Sequence, residues 1–476
     1  MTKRRRRAIG EHVSAVDDAE VDGLAARLEG EVLSPEDPDY DEVRAVWNGM
    51  IDRRPGLIAR CAVADDVLEA IGFARERGLE VAVRGAGHHI AGNSVCEGGL
   101  LIDLSPMKAI QVDPRARTAR VAPGATLADM DSATQAHGLA TPLGVNSTTG
   151  IAGLTLGGGF GWLSRMHGLT VDNLAAAEMI NADGERLRAS EDENPDLFWA
   201  LRGGGGNFGV VTSFEYRLHE VGPEVLSGLI VHPFDHAREV LDRYREFADD
   251  SPDEVTPWFV LRKAPPLPFL PEEVHGRMIL ILPVFVAGDM DAGKPLVEPL
   301  RAIGKPIADV VGPHPYTGWQ QAFDPLLTPG ARNYWKSHNF AALEDEALDA
   351  IVEYAGRLPS DQSEIFVARV GGAINRKPSD ATAYPHRDAE YLMNVHTRWE
   401  NPGEDDRCVA WAREFFDVMT PHATGGVYVN FMPADETGRV KAALGPNYDR
   451  LARLKRRYDP DNFFHLNQNI APVASE

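Results

Sequence analysis

Two glycine-rich stretches could do chemistry together: one ends in side chains that can form a bond, and the other has no side chains to block a close approach. Arg84-Gly85-Ala86-Gly87-His88-His89 is a small-residue loop ending in two imidazoles. Gly150-Ile151-Ala152-Gly153 leads on to Gly157-Gly158-Gly159-Phe160-Gly161. Glycine at 85 and 87 permits positive φ and leaves amide N–H groups uncovered, the geometry of an anion nest. Each glycine of the second stretch costs conformational entropy, which a backbone packed against a flat or phosphorylated ligand would explain. Singly, each feature is ordinary, since glycine turns and structural histidines are common. Together they describe a backbone cradle for a large anionic cofactor, with a nucleophilic ring nitrogen beside it.

A third glycine run, Arg202-Gly203-Gly204-Gly205-Gly206-Asn207-Phe208-Gly209, contains GxGxxG at 204, 206 and 209. A Rossmann dinucleotide site needs strand, then glycines, then helix. Here a helix-like segment, Pro195 to Leu201, comes before, and an alternating strand, Val210 to Leu218, comes after. The order is reversed, so the Rossmann reading is rejected. There is no GxxxxGK[ST] phosphate loop, and no carboxylate pattern near His88 and His89 resembles a metal site.

These loops need elements to hold them. Ala64-Asp65-Asp66 can cap a helix with an apolar face of Val67, Ile71 and Ala74, closed by Gly78. Leu79 to Val83, Leu100 to Leu104 and Ala175 to Asn181 read as strands, Ile110–Val112 and Thr118–Val121 as a hairpin, and Thr126 to His137 as a helix. The sequence thus predicts an α+β module to about Gly222. Beyond it, long alternating runs (Leu226–His232, Met278–Val286, Glu364–Val370, Tyr391–His396, Gly426–Phe431) are separated by helical stretches such as Ala237–Phe247. An antiparallel sheet covered by helices is expected there. The predicted divisions are 1–44 as a lead-in, 45–222, 223–432 and a closing segment 433–476.

The chain has 476 residues and a net charge of −23, from 48 basic and 71 acidic residues. Such an acidic surface repels phosphate backbones and argues against nucleic-acid binding. No run approaches the ~20 apolar residues of a membrane span. The three cysteines, Cys61, Cys96 and Cys408, are scattered and support neither a disulfide framework nor a zinc cluster. The basic run Lys3 to Arg7 is followed by acidic residues rather than an apolar stretch. A cytoplasmic location is therefore expected, with export left open.

The motifs taken in order resemble a known family. Arg84-Gly-Ala-Gly-His88, Gly150-x-x-Gly153-x-x-x-Gly157-Gly-Gly, Asp196-Leu-Phe-Trp199 with Arg202-Gly-Gly-Gly-Gly206, and Tyr458-Asp-Pro-x-Asn462-x-Phe464 are similar to the berberine-bridge-enzyme-like FAD-linked oxidases of the vanillyl-alcohol oxidase and p-cresol methylhydroxylase (PCMH) superfamily. The resemblance covers roughly 45–222 and 425–470. It implies a PCMH-type, two-subdomain FAD-binding domain plus a substrate domain built on an antiparallel sheet covered by helices. It implies FAD bonded through His88, with His89 as the fallback. Many members carry a second link through a cysteine, and that position is Asn146 here, so a single link is expected. Thr149 matches a position beside the flavin that influences oxygen access.

The cofactor-binding set implied by the resemblance comprises Arg84, Gly85, Ala86, Gly87, His88, His89, Asn93, Ser94, Asn146, Ser147, Thr148, Thr149, Gly150, Gly153, Gly157, Gly158, Gly159, Gly209, Val210, Asn467 and Asn469. On the substrate side, Tyr428 and Asn430 sit at i and i+2 of an expected strand and share one face. Family members often place such a tyrosine over the flavin as base or orienting group. A phenolate can take an alcohol proton if nearby cations lower its pKa, and Lys336 and Arg387 are the candidates. Tyr384 is the second tyrosine. The activity implied is oxidation of an alcohol, sugar or secondary metabolite by covalently bound flavin, with O2 reduced to hydrogen peroxide. The partners are a small-molecule substrate and O2; the oligomeric state is not readable. A flavin-dependent monooxygenase or cyclase tailoring a polyketide-like product, and a flavin carrier without turnover, fit the same motifs.

Overall fold

Helix Ala64–Arg77 buries Val67, Ala70, Ile71, Phe73 and Ala74 against a small sheet and stops at Gly78. That sheet joins β1 (Glu31–Leu33), β2 (Leu57–Arg60), β3 (Val81–Arg84) and β4 (Leu100–Asp103) in the order β1-β2-β4-β3. β2 and β3 both run parallel to β4. The strands are short, and β2, β3 and β4 are almost wholly buried while the edge strand β1 is partly exposed. The computed structural model describes residues 16–474, and the basic run at Lys3–Arg7 lies outside them.

A second sheet contains β5 (Ile110–Asp113), β6 (Thr118–Val121), β8 (Leu174–Ile180), β9 (Arg186–Ser190) and β10 (Val210–Arg217), in the order β5-β6-β10-β8-β9. β7 (Leu139–Ala140) pairs with β11 (His219–Glu220) beside it. Helix Leu127–Gln135 is capped by Thr126, whose hydroxyl accepts the Asp129 N–H. Helices Leu127–Gln135 and Pro195–Leu201 pack on this sheet with the closing helix Tyr448–Tyr458.

The remaining large sheet is antiparallel: β15 (Ala308–Asp309), β12 (Glu224–Pro233), β14 (Met278–Val286), β13 (Val255–Lys263), β18 (Glu364–Arg369), β19 (Tyr391–Trp399) and β17 (Arg332–Phe340), in that order, with β16 (Gly312–Pro315) also on β12. Alternation sorts its faces. Phe259, Leu261, Ile365, Val367, Met393 and Val395 turn to helices Ala237–Asp250, Asp345–Ala355 and Asp405–Met419. The intervening residues turn to the cavity described below. This is the α+β architecture the sequence predicts.

One expected strand is absent. Residues 426–431 alternate in sequence but end in a single 3-10 turn, Val429–Phe431. The Tyr428 N–H donates to the Ser337 hydroxyl (3.1 Å) rather than to a strand ladder. Gly426 lies so close to His386 that an added Cβ would sit 2.6 Å from its ring nitrogen. In the large sheet β13, β15, β16 and β17 go unannounced in the sequence, as do β1, β2 and β9 in the smaller sheets.

Candidate active site

A cavity of about 860 Å³ lies between the two smaller sheets and the bare face of the large one. Backbone makes one wall. Gly85, Ala86, Gly87, His88 and His89 leave the end of β3; Gly144–Asn146, Thr149, Gly150, Gly153 and Gly157 face them; Gly204–Asn207, Gly209 and Val210 close the far end with Asn467. At Gly150 the strand-like loops nearly touch: an added Cβ would lie 2.9 Å from the Ala86 nitrogen. Only hydrogen fits there.

His88 leads this wall. Its Nε2 is 3.0 Å from the Thr148 hydroxyl, and its ring stacks on Trp47 at 5.1 Å. Burial pushes its pKa down to about 4, so at neutral pH the imidazole is uncharged and nucleophilic. His89 is likewise held down, to about 4, by burial. Its Nδ1, the Ser94 hydroxyl oxygen and the Asn467 Oδ1 are buried without partners. Among the described lining residues the one acidic side chain, Glu364, belongs to the opposite wall. A glycine cradle free of carboxylates, with unspent polar atoms, fits an anionic dinucleotide such as FAD.

The opposite wall is the large sheet. Arg262, Glu364, His396 and Trp335 are direct cross-strand neighbours on β13, β18, β19 and β17, one row across four strands. The next row holds Val260, Phe366, Asn394 and Ser337. Between the walls stands Tyr428, fully enclosed. Its hydroxyl oxygen accepts the Gly159 N–H (3.1 Å) and the Asn430 side-chain amide (3.0 Å).

Residues 55–190 match the FAD binding domain model, and residues 427–471 match the berberine and berberine-like model. The chain is 33% identical to the uncharacterized FAD-linked oxidoreductase YgaK of Bacillus subtilis, over 94% of this chain and 98% of that one. The chain belongs to the berberine-bridge-enzyme-like FAD-linked oxidoreductases. The crystal structure of 6-hydroxy-D-nicotine oxidase from Arthrobacter nicotinovorans superposes with a TM-score of 0.82 at 29% identity, over 94% and 98% of the two chains. Xylooligosaccharide oxidase from Myceliophthora thermophila, in complex with xylobiose, gives 0.83 at 25% identity, over 96% and 100%.

As a member of this family the protein is an FAD-dependent enzyme, and its expected FAD residues divide by position. Asn93, Ser94, Asn146, Thr149, Gly209, Val210 and Asn467 line the cavity with the glycines named above. Arg84 does not. Its guanidinium pairs with Asp103 (2.8 Å) and the backbone before Trp47, which fixes the root of the His88 loop. Ser147 bonds Asp324, tying the 146–149 turn to the 3-10 turn Asp324–Leu326. Thr148 acts through His88. Gly158 faces the Tyr384 ring, Gly159 serves Tyr428, and Asn469 does not line the cavity, its Oδ1 being buried without a partner.

The expected cations do not reach Tyr428. Lys336 is locked to Glu436, and Arg387 makes a two-pronged pair with Asp172 (2.7 and 2.9 Å). With no cation in contact, burial pushes the Tyr428 phenol up to about 12 despite its two donors. Tyr384 is also pushed up by burial; its ring lies 6.4 Å from that of Tyr428 and 5.3 Å from the Arg387 guanidinium. The large-sheet row and the Gly204–Asn207 turn were not among the expected site residues. The turn was visible as the third glycine run; the row had no local signal.

Among the described residues no helix is long and apolar enough to cross a membrane. No group of three or more His, Cys, Asp or Glu is placed there to hold a metal ion.

Proposed function

We propose that this enzyme is an oxidase that takes a hydride from a hydroxyl-bearing carbon of a largely apolar small molecule, with FAD tethered through His88 and O2 as the final acceptor. The observation that carries it is the neutral His88 ring, set at the edge of a carboxylate-free glycine cradle by Trp47 and Thr148. Bound FAD supplies a two-electron acceptor for a hydride leaving carbon. The backbone cradle holds the cofactor; Asn146, in place of a cysteine, leaves one tether. On this reading residues 45–222 and 433–476 hold FAD, and residues 223–432 hold the substrate.

Tyr428 orients the substrate. Both of its acceptor positions are taken by Gly159 and Asn430, so its own proton is free to donate to a substrate oxygen. This replaces the proton-accepting role expected for it, because a phenol near 12 stays protonated at neutral pH. The apolar character follows from Trp258, Val260, Ile281, Phe366, Trp319 and Phe323 on the substrate wall. The relatives named for 6-hydroxy-D-nicotine and for xylooligosaccharides support an oxidase with a hydroxylated substrate.

The test is acid precipitation of the purified protein, followed by mass spectrometry of the peptide containing His88. A yellow pellet and an FAD adduct on that peptide are expected, and His88→Ala should abolish the adduct. A colourless protein that stays colourless with added FAD defeats the reading. Peroxide formed in step with substrate oxidation is expected. Oxygen from O2 recovered in the product instead marks a monooxygenase.

A further inference from the structure

The row Arg262–Glu364–His396–Trp335 is a charge-relay arrangement on the substrate wall. His396 Nδ1 lies 3.0 Å from Glu364 Oε1, and the other carboxylate oxygen accepts from Arg262 at 2.7 Å. An ionised carboxylate only accepts, so His396 Nδ1 carries the proton and Nε2 keeps a bare lone pair. That Nε2 is buried and has no partner, although His396 lines the cavity. The bond to Glu364 and the Trp335 ring, edge-to-face at 4.7 Å, orient the imidazole on a strand paired on both sides. The neighbouring Asn394 Oδ1 and Trp335 Nε1 are also buried without partners, so a cluster of unspent polar atoms sits within an otherwise apolar wall. A buried polar atom left unpaired is costly, and a bound ligand is one way to satisfy it.

We propose that His396 is the base that takes the hydroxyl proton of the substrate, that Glu364 and Arg262 position it, and that the substrate is a largely apolar molecule bearing that hydroxyl. This rests on the oxidase reading and names its proton acceptor and substrate class. The substrate O–H bond breaks with its electron pair staying on oxygen, and the proton forms an N–H bond at Nε2. The resulting imidazolium faces the Glu364 carboxylate, which is already ionised. The charged groups around His396 are Glu364 on β18, Arg262 behind it on β13, and Arg398 two residues along its own strand; β17 presents the neutral Trp335. The two cations and burial keep the free imidazole neutral, so it is ready to accept.

The test uses the FAD-loaded protein with 4-nitrophenol, whose ionised form is visible by absorbance. Binding is followed by difference spectra between about pH 5 and pH 9, the range in which an imidazole exchanges its proton. The bound phenol is expected to ionise at least about one pH unit below the free phenol, a tenfold gain. His396→Gln should abolish that gain. Glu364→Gln, nearly the same shape, should cut it several-fold while leaving flavin absorbance unchanged, and so serves if the histidine variant fails to fold. An equal gain in both variants overturns the proposal, and so does failure of 4-nitrophenol to bind. Loss of the His88 adduct would sink the tethered-flavin reading alone, because the phenol titration does not depend on the tether.

Discussion

His396 and Glu364 are register partners on adjacent strands and also share a 3.0 Å hydrogen bond through Nδ1. The sheet itself therefore sets the ring's orientation, and no loop is required. Burial alone would raise the Glu364 pKa, but Arg262 and His396 outweigh it and hold the carboxyl down at about 2. A carboxylate depressed in this way stabilises the fold above its unfolded pKa, and that contribution is lost as pH falls toward about 2. Arg262→Met removes the partner and leaves a buried charge, which costs about 3–5 kcal/mol. Calorimetry should show a lowered Tm for Arg262→Met, with much of it restored in the double variant Arg262→Met, Glu364→Gln.

Tyr428→Phe removes one oxygen that two N–H groups share. Gly159 and Asn430 are then left with donors facing an apolar ring, at a cost of about 1–3 kcal/mol. With the orienting donor gone, kcat/KM should fall on the order of 100-fold while flavin content is kept. Unchanged kcat/KM would remove Tyr428 from the reaction.

Gly150→Ala forces a methyl group to 2.9 Å from the Ala86 backbone. The loops carrying His88 and Thr149 must part to admit it. Flavin absorbance per mole of protein should drop sharply, because the cradle is made of backbone and cannot repack around the intrusion. Gly72→Ala, inside helix Ala64–Arg77 with open space around it, is the control for a glycine change remote from the cavity.

Acid sensitivity should begin well above the carboxylate range. His88, His89, His167, His232 and His338 are each held down to about 4 by burial. An unfolded histidine titrates near 6.5, so between about pH 6.5 and pH 4 the unfolded chain binds more protons than the folded one. Stability is full above pH 6.5 and falls as pH drops through this window. Melting temperature should decline steeply there, and unfolding at pH 5 should take up protons. A flat profile between pH 6.5 and pH 5 would contradict the burial of these rings.

Much of the cofactor wall was legible because its information is local. Gly85, Gly87, Gly150, Gly157 and His88 announce a cradle by residue type and spacing alone, and the structure brings them to one cavity. The large-sheet wall was not legible for the opposite reason. Arg262, Trp335, Glu364 and His396 meet only through strand pairing across long sequence separations, and each alone reads as an ordinary polar or aromatic residue. β17 hid itself further: Asn333, Lys336, Ser337, His338 and Asn339 are buried polar residues, so no apolar alternation marks the strand. Lys336 and Arg387 were misplaced beside Tyr428 because a sequence shows a cation without the carboxylate that claims it, here Glu436 and Asp172. Residues 426–431 alternate like a strand, but Ser337 takes the N–H that a neighbouring strand would have needed.

Trp47 gives the last consequence. Its backbone N–H donates to Gly87 and its indole N–H to Leu327, while its ring lies between His88 (5.1 Å) and Trp335 (5.5 Å). One residue at the start of the 45–222 segment thus rivets the His88 loop to the large-sheet wall of the cavity. Shifting one wall against the other would break these contacts, so on the proposed reading the reach from a hydroxyl held at the large sheet to a flavin on His88 is built into the polypeptide rather than found afresh at each encounter.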